Sequence, residues 1–304
     1  MRRKPSSPLP QRNGLDAARL RLPAEGPWLS LRDHLVERLP RVDPARIEEM
    51  LRDERIWDVS GPLGIDTPFT PDTYIWFHRD LPVEVPVPFE VGVVYQDDDI
   101  VVADKPHFLA TIPRGQHIMQ TALVKLRDSL GLPDLSPAHR LDRVTAGLVL
   151  FVVRREVRGK YQTMFRDRLV QKEYEAIAPY SPSLELPRVV RSRIIKERGI
   201  ITAFEEDGTP NAETHVSLVE HRNGLGRYRL SPLTGRTHQL RLHMSGLGVP
   251  IVNDDFYPVL KERPLDDFSS PLQLLARTLS FVDPLSGEER SFTSRLKLSA
   301  WGEG

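Results

Sequence analysis

The chain of 304 residues contains no cysteine. Disulfides, thiolate nucleophiles, iron–sulfur clusters and cysteine-ligated zinc are excluded. It has no net charge either, because 42 Lys and Arg are matched by 42 Asp and Glu. This rules out a chain coated in positive charge but not a local basic groove, so a polyanionic partner has to be argued from particular residues. Long hydrophobic runs are missing too. The longest, Gly147 to Val153, is far short of the ~20 residues of a membrane helix. No apolar segment follows Arg2, Arg3 and Lys4, so no signal peptide is expected and a soluble cytoplasmic protein without membrane contact is the default. Neither an internal repeat nor a strict β-α alternation is visible. What is present is an apolar fraction of 39%, enough for a real core. The length suits a domain of roughly 200 residues plus a small module.

Residues 1–27 hold six Lys or Arg before Leu22 against one acid, Asp16, with frequent Pro and Gly. They predict a flexible basic arm, or equally a tail without a role. Residues 28–80 predict a small α/β module. Ser30 with Asp33 is a helix-start signal, and Leu31, Leu35 and Leu39 fall on one stripe. Asp43-Pro44 opens a second helix with the stripe Ile47, Met50 and Leu51. A turn-rich stretch then leads to the strand-like Tyr74-Ile75-Trp76-Phe77. Two short helices before a strand-rich end resemble the small RNA-binding domain named after a ribosomal small-subunit protein. That resemblance implies that Arg32, Arg38, Arg41, Arg46, Arg52 and Arg55 meet phosphates. Acids are interleaved with them, so an ordinary solvated helix pair reads equally well. Residues 81–89 contain Pro82, Pro86 and Pro88, which suits neither a helix nor a central strand and marks a linker.

Residues 90–300 read as mixed strands and helices. The β-branched runs Val91–Tyr95 and Ile100–Ala103 flank Gln96-Asp97-Asp98-Asp99, a hairpin signal. Thr121–Leu130, closed by Gly131, reads as a helix. Gly147–Val153 is a buried strand, and Arg155–Leu169 a helix with Val157, Tyr161, Met164 and Phe165 on one side. Strands recur from Lys172 onward, with one helical pattern at Thr237–Gly246. This order favours an α+β fold with a mixed, largely antiparallel central sheet flanked by helices.

The segment His139-Arg140-Leu141-Asp142-Arg143-Val144-Thr145-Ala146-Gly147-Leu148 places an acid between two arginines just before an apolar strand. Burial beside the strand would raise the pKa of Asp142, and the neighbouring guanidinium groups would oppose that. An ionised, partly buried carboxylate is a usable nucleophile; a structural ion pair at a strand edge explains the same residues. Further on, Pro232 to His243 reads Pro-Leu-Thr-Gly-Arg-Thr-His-Gln-Leu-Arg-Leu-His. Gly235 suits a tight turn, and Thr237 suits a helix cap. Gln239 and His243 share a helix face while Arg241 points elsewhere. His238 and His243 are five residues apart and do not stack as metal ligands, so no metal site is expected.

The first string resembles the H-R-L-D-x-x-T-S-G-L signature of RluA-type pseudouridine synthases, with Ala146 where serine is usual. Asp104-Lys105-Pro106 resembles the N/D-K-P triplet that closes that family's opening hairpin. Lys172-Glu173-Tyr174 resembles its K-x-Y element, and Pro232–His243 its P-x-T-G-R-x-H-Q-[IL]-R-x-H block. The match spans about residues 91–300. It implies the pseudouridine synthase fold and isomerisation of uridine within RNA without a cofactor. It makes Asp142 the catalytic aspartate, acting either by covalent attack or through a sugar-centred glycal route, Tyr174 the ring that packs on the target base, and Arg241 the partner that salt-bridges Asp142. Arg140 would enter the RNA as the target base leaves its stack, a step costing a few kcal/mol. Thr145 and Gly147 would shape the turn into the strand. His139, Arg143, Arg236, His238 and Gln239 join Arg140 as expected RNA-facing residues. Large-subunit ribosomal RNA is the first expected substrate and transfer RNA the second, with a monomeric enzyme.

The sequence departs from the family at Asn253, where glycine is usual before an acid; asparagine tolerates the left-handed conformation. Leu274-Leu275-Ala276 lacks a central histidine, and the loop Phe108–Met119, preceded by His107 and containing His117, is unusual. Two rival readings remain: a non-catalytic RNA-binding protein of the same fold, and a small-molecule hydrolase or lyase with an Asp–Arg site. Mere binding would not need Asp142, Tyr174 and Arg241 together, and a small-molecule enzyme would not need Arg140.

Overall fold

In the computed structural model, residues 5–302 are described. They form two compact units, divided after Val83. The first contains β1 (Ala18–Arg21), α1 (Leu31–Arg38), α2 (Pro44–Arg52), β2 (Ile56–Asp58), β3 (Gly61–Leu63) and β4 (Tyr74–Phe77). Its sheet runs β1-β4-β2-β3. The caps are as the sequence predicts: the Ser30 hydroxyl accepts from the Asp33 amide and the Asp43 carboxylate from the Ala45 amide. Leu31, Leu35, Ile47, Met50 and Leu51 meet Ile56 and Ile75 in the core.

Two expectations change here. The basic arm does not extend through residue 27, because Ala18–Arg21 pairs with Tyr74–Phe77 and Leu22 is buried. The module's arginines are also largely neutralised. Arg32 pairs with Asp33 and Glu48, Arg46 with Glu49 and Asp80, Arg52 with Glu48, and Arg55 with Asp80. The interleaved acids bind the very cations that resemblance assigns to phosphates.

The second unit is built on one large sheet. Its elements are β5 (Gly92–Gln96), β6 (Ile100–Lys105), α3 (Ala122–Leu130), β7 (Ser136–Pro137), β8 (Ala146–Val152), α4 (Arg158–Arg166) and β9 (Gln171–Pro179). They continue with β10 (Arg188–Ile195), β11 (Phe204–Glu206), β12 (Ala212–Arg222), β13 (Leu225–Pro232), α5 (Gln239–Gly246), β14 (Leu274–Val282) and β15 (Glu289–Thr293). The strand order is β11-β10-β12-β13-β9-β14-β8-β6-β5, with β15 on β14 and β7 on β8. The pairing of β14 with β8 is parallel and the others are antiparallel, so the α+β reading holds. At the predicted hairpin, Asp97 Oδ1 accepts from the Asp99 and Ile100 amides and sets the β5–β6 turn. Gly131, left-handed at φ 64°, ends α3 as only a residue without Cβ does cheaply.

The proline-rich stretch has no regular structure, yet from Glu84 it belongs to the second unit. The Glu84 carboxylate accepts from the amides of Ile118, Met119 and Gln120 at 2.9, 2.7 and 3.0 Å. That clasp fixes the base of the unusual loop that carries Arg114 and His117.

The parallel contact between β8 and β14 depends on Gly147. At its φ of 109° an added Cβ would lie 2.3 Å from the Ala276 carbonyl oxygen and 2.6 Å from the Ala276 amide nitrogen. Gly147→Ala should therefore cost at least about 3 kcal/mol or abolish folding, through strain and overpacking together. Gly115→Ala, at φ 61° in open space, should cost only about 1–2 kcal/mol. Urea denaturation followed by circular dichroism compares them; coincident midpoints would contradict this account of the β8–β14 contact.

Candidate active site

Four motifs that are far apart in sequence converge at the C-terminal side of β6, the entry to β8, the start of β9 and the N-terminus of α5. The loop Leu141–Val144 enters β8, and the Thr145 amide bonds back to the Asp142 carbonyl. A second segment clasps this loop. Buried Lys105 directs its ammonium at the carbonyl oxygens of Pro106, Leu109 and Arg143, at 2.9, 2.8 and 3.3 Å. His107 donates from Nδ1 to the Val144 carbonyl. The Thr111 hydroxyl donates to the Leu141 carbonyl and accepts from its amide. Burial pushes the Lys105 ammonium down to about 7, whereas three carbonyl acceptors match the three N–H groups of the charged form. The Asp-Lys-Pro triplet is thus the anchor of the loop that presents Asp142.

Arg241, on α5, is almost fully buried and meets two acids. Its Nε and Nη2 donate to the Asp254 carboxylate at 2.8 and 2.6 Å, and Nη1 lies 3.9 Å from Asp142 Oδ2. The guanidinium also lies over the Phe256 ring, 4.6 Å from its centroid. The predicted Asp142–Arg241 pair is therefore present, but Asp254 is the closer partner. Asp254 in turn accepts from the Phe256 and Tyr257 amides. Asn253, which precedes it, has φ 62°, the left-handed turn expected of it. Asp254 was missed as a site residue, although an acid after a left-handed asparagine is the readable signal.

The other predicted residues divide. Tyr174 and Asp142 line a common pocket of about 110 Å³ with Arg140, Arg236, His238, Gln239 and Arg241. Burial, reinforced by the Asp142 charge, raises the Tyr174 phenol above its ordinary value and keeps the ring neutral. Arg140 and Arg143 do not ion-pair with Asp142, contrary to the electrostatic expectation. Arg140 is exposed and Arg143 donates to the Phe108 carbonyl, so neither guanidinium engages the carboxylate. His139 lines the cleft and also holds it together from within. Its Nε2 accepts from the Leu150 amide and its ring stacks on Phe165 at 4.3 Å.

Gln239 is likewise buried as a connector, donating to Thr214 and Glu213 and accepting from the Thr234 hydroxyl and the Arg236 amide. Thr237 does not cap α5. His238 occupies that position in a left-handed conformation, φ 57°, without a side-chain cap. The Tyr257 hydroxyl donates to the Ala203 carbonyl, so His238 Nδ1–H must donate to Tyr257. Gly235 has no positive φ; an added Cβ there would sit 4.0 Å from Lys172 Nζ, at ordinary contact distance.

Outside this pocket lies a cleft of about 740 Å³. Arg114, Arg140, Arg143, Arg166, Arg168, Lys172 and Arg236 line it, and Asp142 is the one acid among its lining residues. Of the seven cations only Arg166, beside Asp167, is ion-paired among the described residues. A chain of zero net charge thus gathers unpaired positive charge around one carboxylate, an arrangement that attracts a polyanion and offers it a nucleophile.

Comparison with known proteins agrees with this geometry. Residues 99–246 match the family model described as RNA pseudouridylate synthase. A dual-specificity RNA pseudouridine synthase RluA from Pasteurella multocida is 33% identical over 216 residues, 67% of this chain and 92% of that one. The chain belongs to the RluA-type pseudouridine synthase family. The RluA of Escherichia coli K12 is 32% identical over 206 residues, 66% of this chain and 90% of its own. The solved structure of human RNA pseudouridylate synthase domain containing 1 superposes with a TM-score of 0.56 at 26% identity, covering 70% of this chain and 86% of that one. The chain is accordingly an RNA pseudouridine synthase, an isomerase, and its fold is that of the family.

Two measurements test the site's construction. Asp254→Ala would leave the buried Arg241 cation without its bidentate partner and should cost about 3–5 kcal/mol in urea denaturation; a loss under about 1 kcal/mol would refute the pairing as a structural keystone. His139 is held neutral, its pKa pushed from 6.5 down to about 3 by burial and then by the Lys172 charge. Between those values the unfolded chain binds the extra proton, so the contribution of His139 is full above pH 6.5 and fades as pH falls toward 3. His139→Gln, which keeps an acceptor for Leu150, should flatten the acid side of the stability curve. Parallel curves for variant and parent would contradict that role.

Proposed function

We propose that the enzyme converts uridine to pseudouridine in structured RNA with Asp142 as the nucleophile, large-subunit ribosomal RNA being the first substrate to test and transfer RNA the second. The observation that carries this reading is the position of the Asp142 carboxylate. It is the single acid of a basic cleft, it faces Arg241, and it shares a small pocket with the Tyr174 ring. The relatives' dual specificity favours a cleft that accepts more than one RNA.

In this reading the RNA backbone lies along the cleft cations and the target nucleotide leaves its stack. The uracil ring rests against Tyr174, which supplies a sequence-tolerant stacking surface. The carboxylate attacks C1′, the bond from C1′ to N1 breaks, and the electron pair goes to the uracil. The ring turns, its C5 forms the new bond to C1′, and the Asp142 oxygen departs with the electrons of the ester bond. Loss of the C5 proton and uptake of a proton at N1, the atom freed from C1′, restore the ring. Atoms and electrons balance without an oxidant, reductant or group donor. Arg241, fixed by Asp254, is the positioning cation for the carboxylate throughout.

RNA containing 5-tritiated uridine reports the reaction by tritium release. Asp142→Asn should reduce release from ribosomal and transfer RNA to background while leaving the circular dichroism spectrum and the urea midpoint near those of the parent. Undiminished release would end the nucleophile assignment. Release from neither RNA by the parent enzyme would redirect the substrate reading to another RNA.

A further inference from the structure

Lys172 lies on β9 two residues before Tyr174, so both side chains leave the same face of the strand. It lines the basic cleft and also the small inner pocket that holds Asp142 and Tyr174. Its side chain is half-buried. Among the described residues, no hydrogen bond and no carboxylate engages its ammonium. The one charge that acts on it appreciably is Arg168, another cation. Gly235 is the neighbour of Lys172 across the pocket, where an added Cβ would stand 4.0 Å from Nζ, at ordinary contact distance. Neighbouring cations in the cleft are either exposed at its rim or tied to carbonyl oxygens, as Arg143 is to Phe108 and Arg236 to Asn211. An unpaired, partly desolvated ammonium is a costly feature to keep, and it becomes favourable once an anion enters.

We propose that Lys172 binds a backbone phosphate of the extruded uridine nucleotide, so that base and phosphate are gripped by neighbouring residues of one strand. The role rests on the RNA reading above. Asp142 addresses the sugar, Tyr174 the ring, and Lys172 the phosphate that joins the nucleotide to its neighbour. Burial and Arg168 both lower the Lys172 ammonium from its ordinary value. An arriving phosphate reverses the balance, and the charged form is then the bound form. Lys172 is a positioning residue: it fixes the nucleotide and takes no part in bond making.

The probe is a stem-loop that the parent enzyme converts in the tritium-release assay, made also with a neutral methylphosphonate immediately 5′ or 3′ of the target uridine. Conversion of the unmodified stem-loop establishes the reaction independently of this proposal. Lys172→Met keeps the length and the apolar stem and should raise KM by about 10–100-fold with kcat little changed, the worth of one charge-assisted contact. The logarithmic salt slope of binding should fall by about 0.7–0.9, one phosphate contact. One of the two methylphosphonates should impair the parent by a similar factor and have no further effect on the variant. Lys172→Arg should retain most of the affinity. If neither methylphosphonate impairs the parent more than the variant, or if the salt slope is unchanged, the assignment is overturned. A circular dichroism spectrum and urea midpoint matching the parent distinguish this loss from misfolding.

Discussion

The site depends on one buried cation that serves two carboxylates. Arg241 makes its short, paired contact with Asp254 and a longer one with Asp142. The division follows from burial. An Asp254 side chain and a guanidinium that are both almost wholly out of water need each other as full partners, because an isolated buried charge is prohibitively costly. Asp142, about one-third exposed, does not depend on the pair for solvation. Arg241 is thereby fixed by Asp254 and offered to Asp142, which leaves the second carboxylate oriented and still open to the cleft, as the proposed attack requires. Had Asp142 been the tighter partner, its oxygens would be sequestered from substrate.

The same logic extends outward through the backbone. Asp142 sits on a loop, and a loop positions a group only as well as its anchors do. Here the anchors are an ammonium, an imidazole and a hydroxyl from the segment 105–111, all acting on main-chain atoms of residues 141–144. Below them, Gly147 lets β8 lie against β14 closely enough for the loop to emerge beside β9 and α5. The chemistry at one carboxylate therefore rests on a close backbone approach a few residues away.

Much of this was legible in the sequence, and what was not has a common cause. Most local signals survived, although Thr237 does not cap α5. The caps at Ser30 and Asp43, the αL glycine at 131, the Asp97 turn and the asparagine at 253 each involve residues within a few positions of one another. Adjacency misled where side-chain direction mattered. Arg140 and Arg143 flank Asp142 in sequence, but neither pairs with it, and the guanidinium that faces the carboxylate comes from a helix about a hundred positions later. Polar residues of the motifs were read as ligand contacts when their partners were internal. His139 accepts a strand amide, and Gln239 ties three segments together. The basic arm was misjudged because charge composition does not reveal that Ala18–Arg21 completes a sheet edge.

Charge shows most clearly what composition conceals. Forty-two cations and forty-two anions cancel over the chain, yet their pairing is not uniform. In the N-terminal unit arginines are met by acids one helical turn away or across the fold. In the cleft they are mostly left alone. Surface pairs contribute little to stability, so pairing in one region and not in another matters chiefly for where the positive potential is felt. A uniformly basic surface would hold RNA in many registers. A cleft of mostly unpaired cations holds it where Asp142 and Tyr174 stand, and the half-buried Lys172, which lines both the outer cleft and the inner pocket, is placed to meet a phosphate as the nucleotide passes from one to the other.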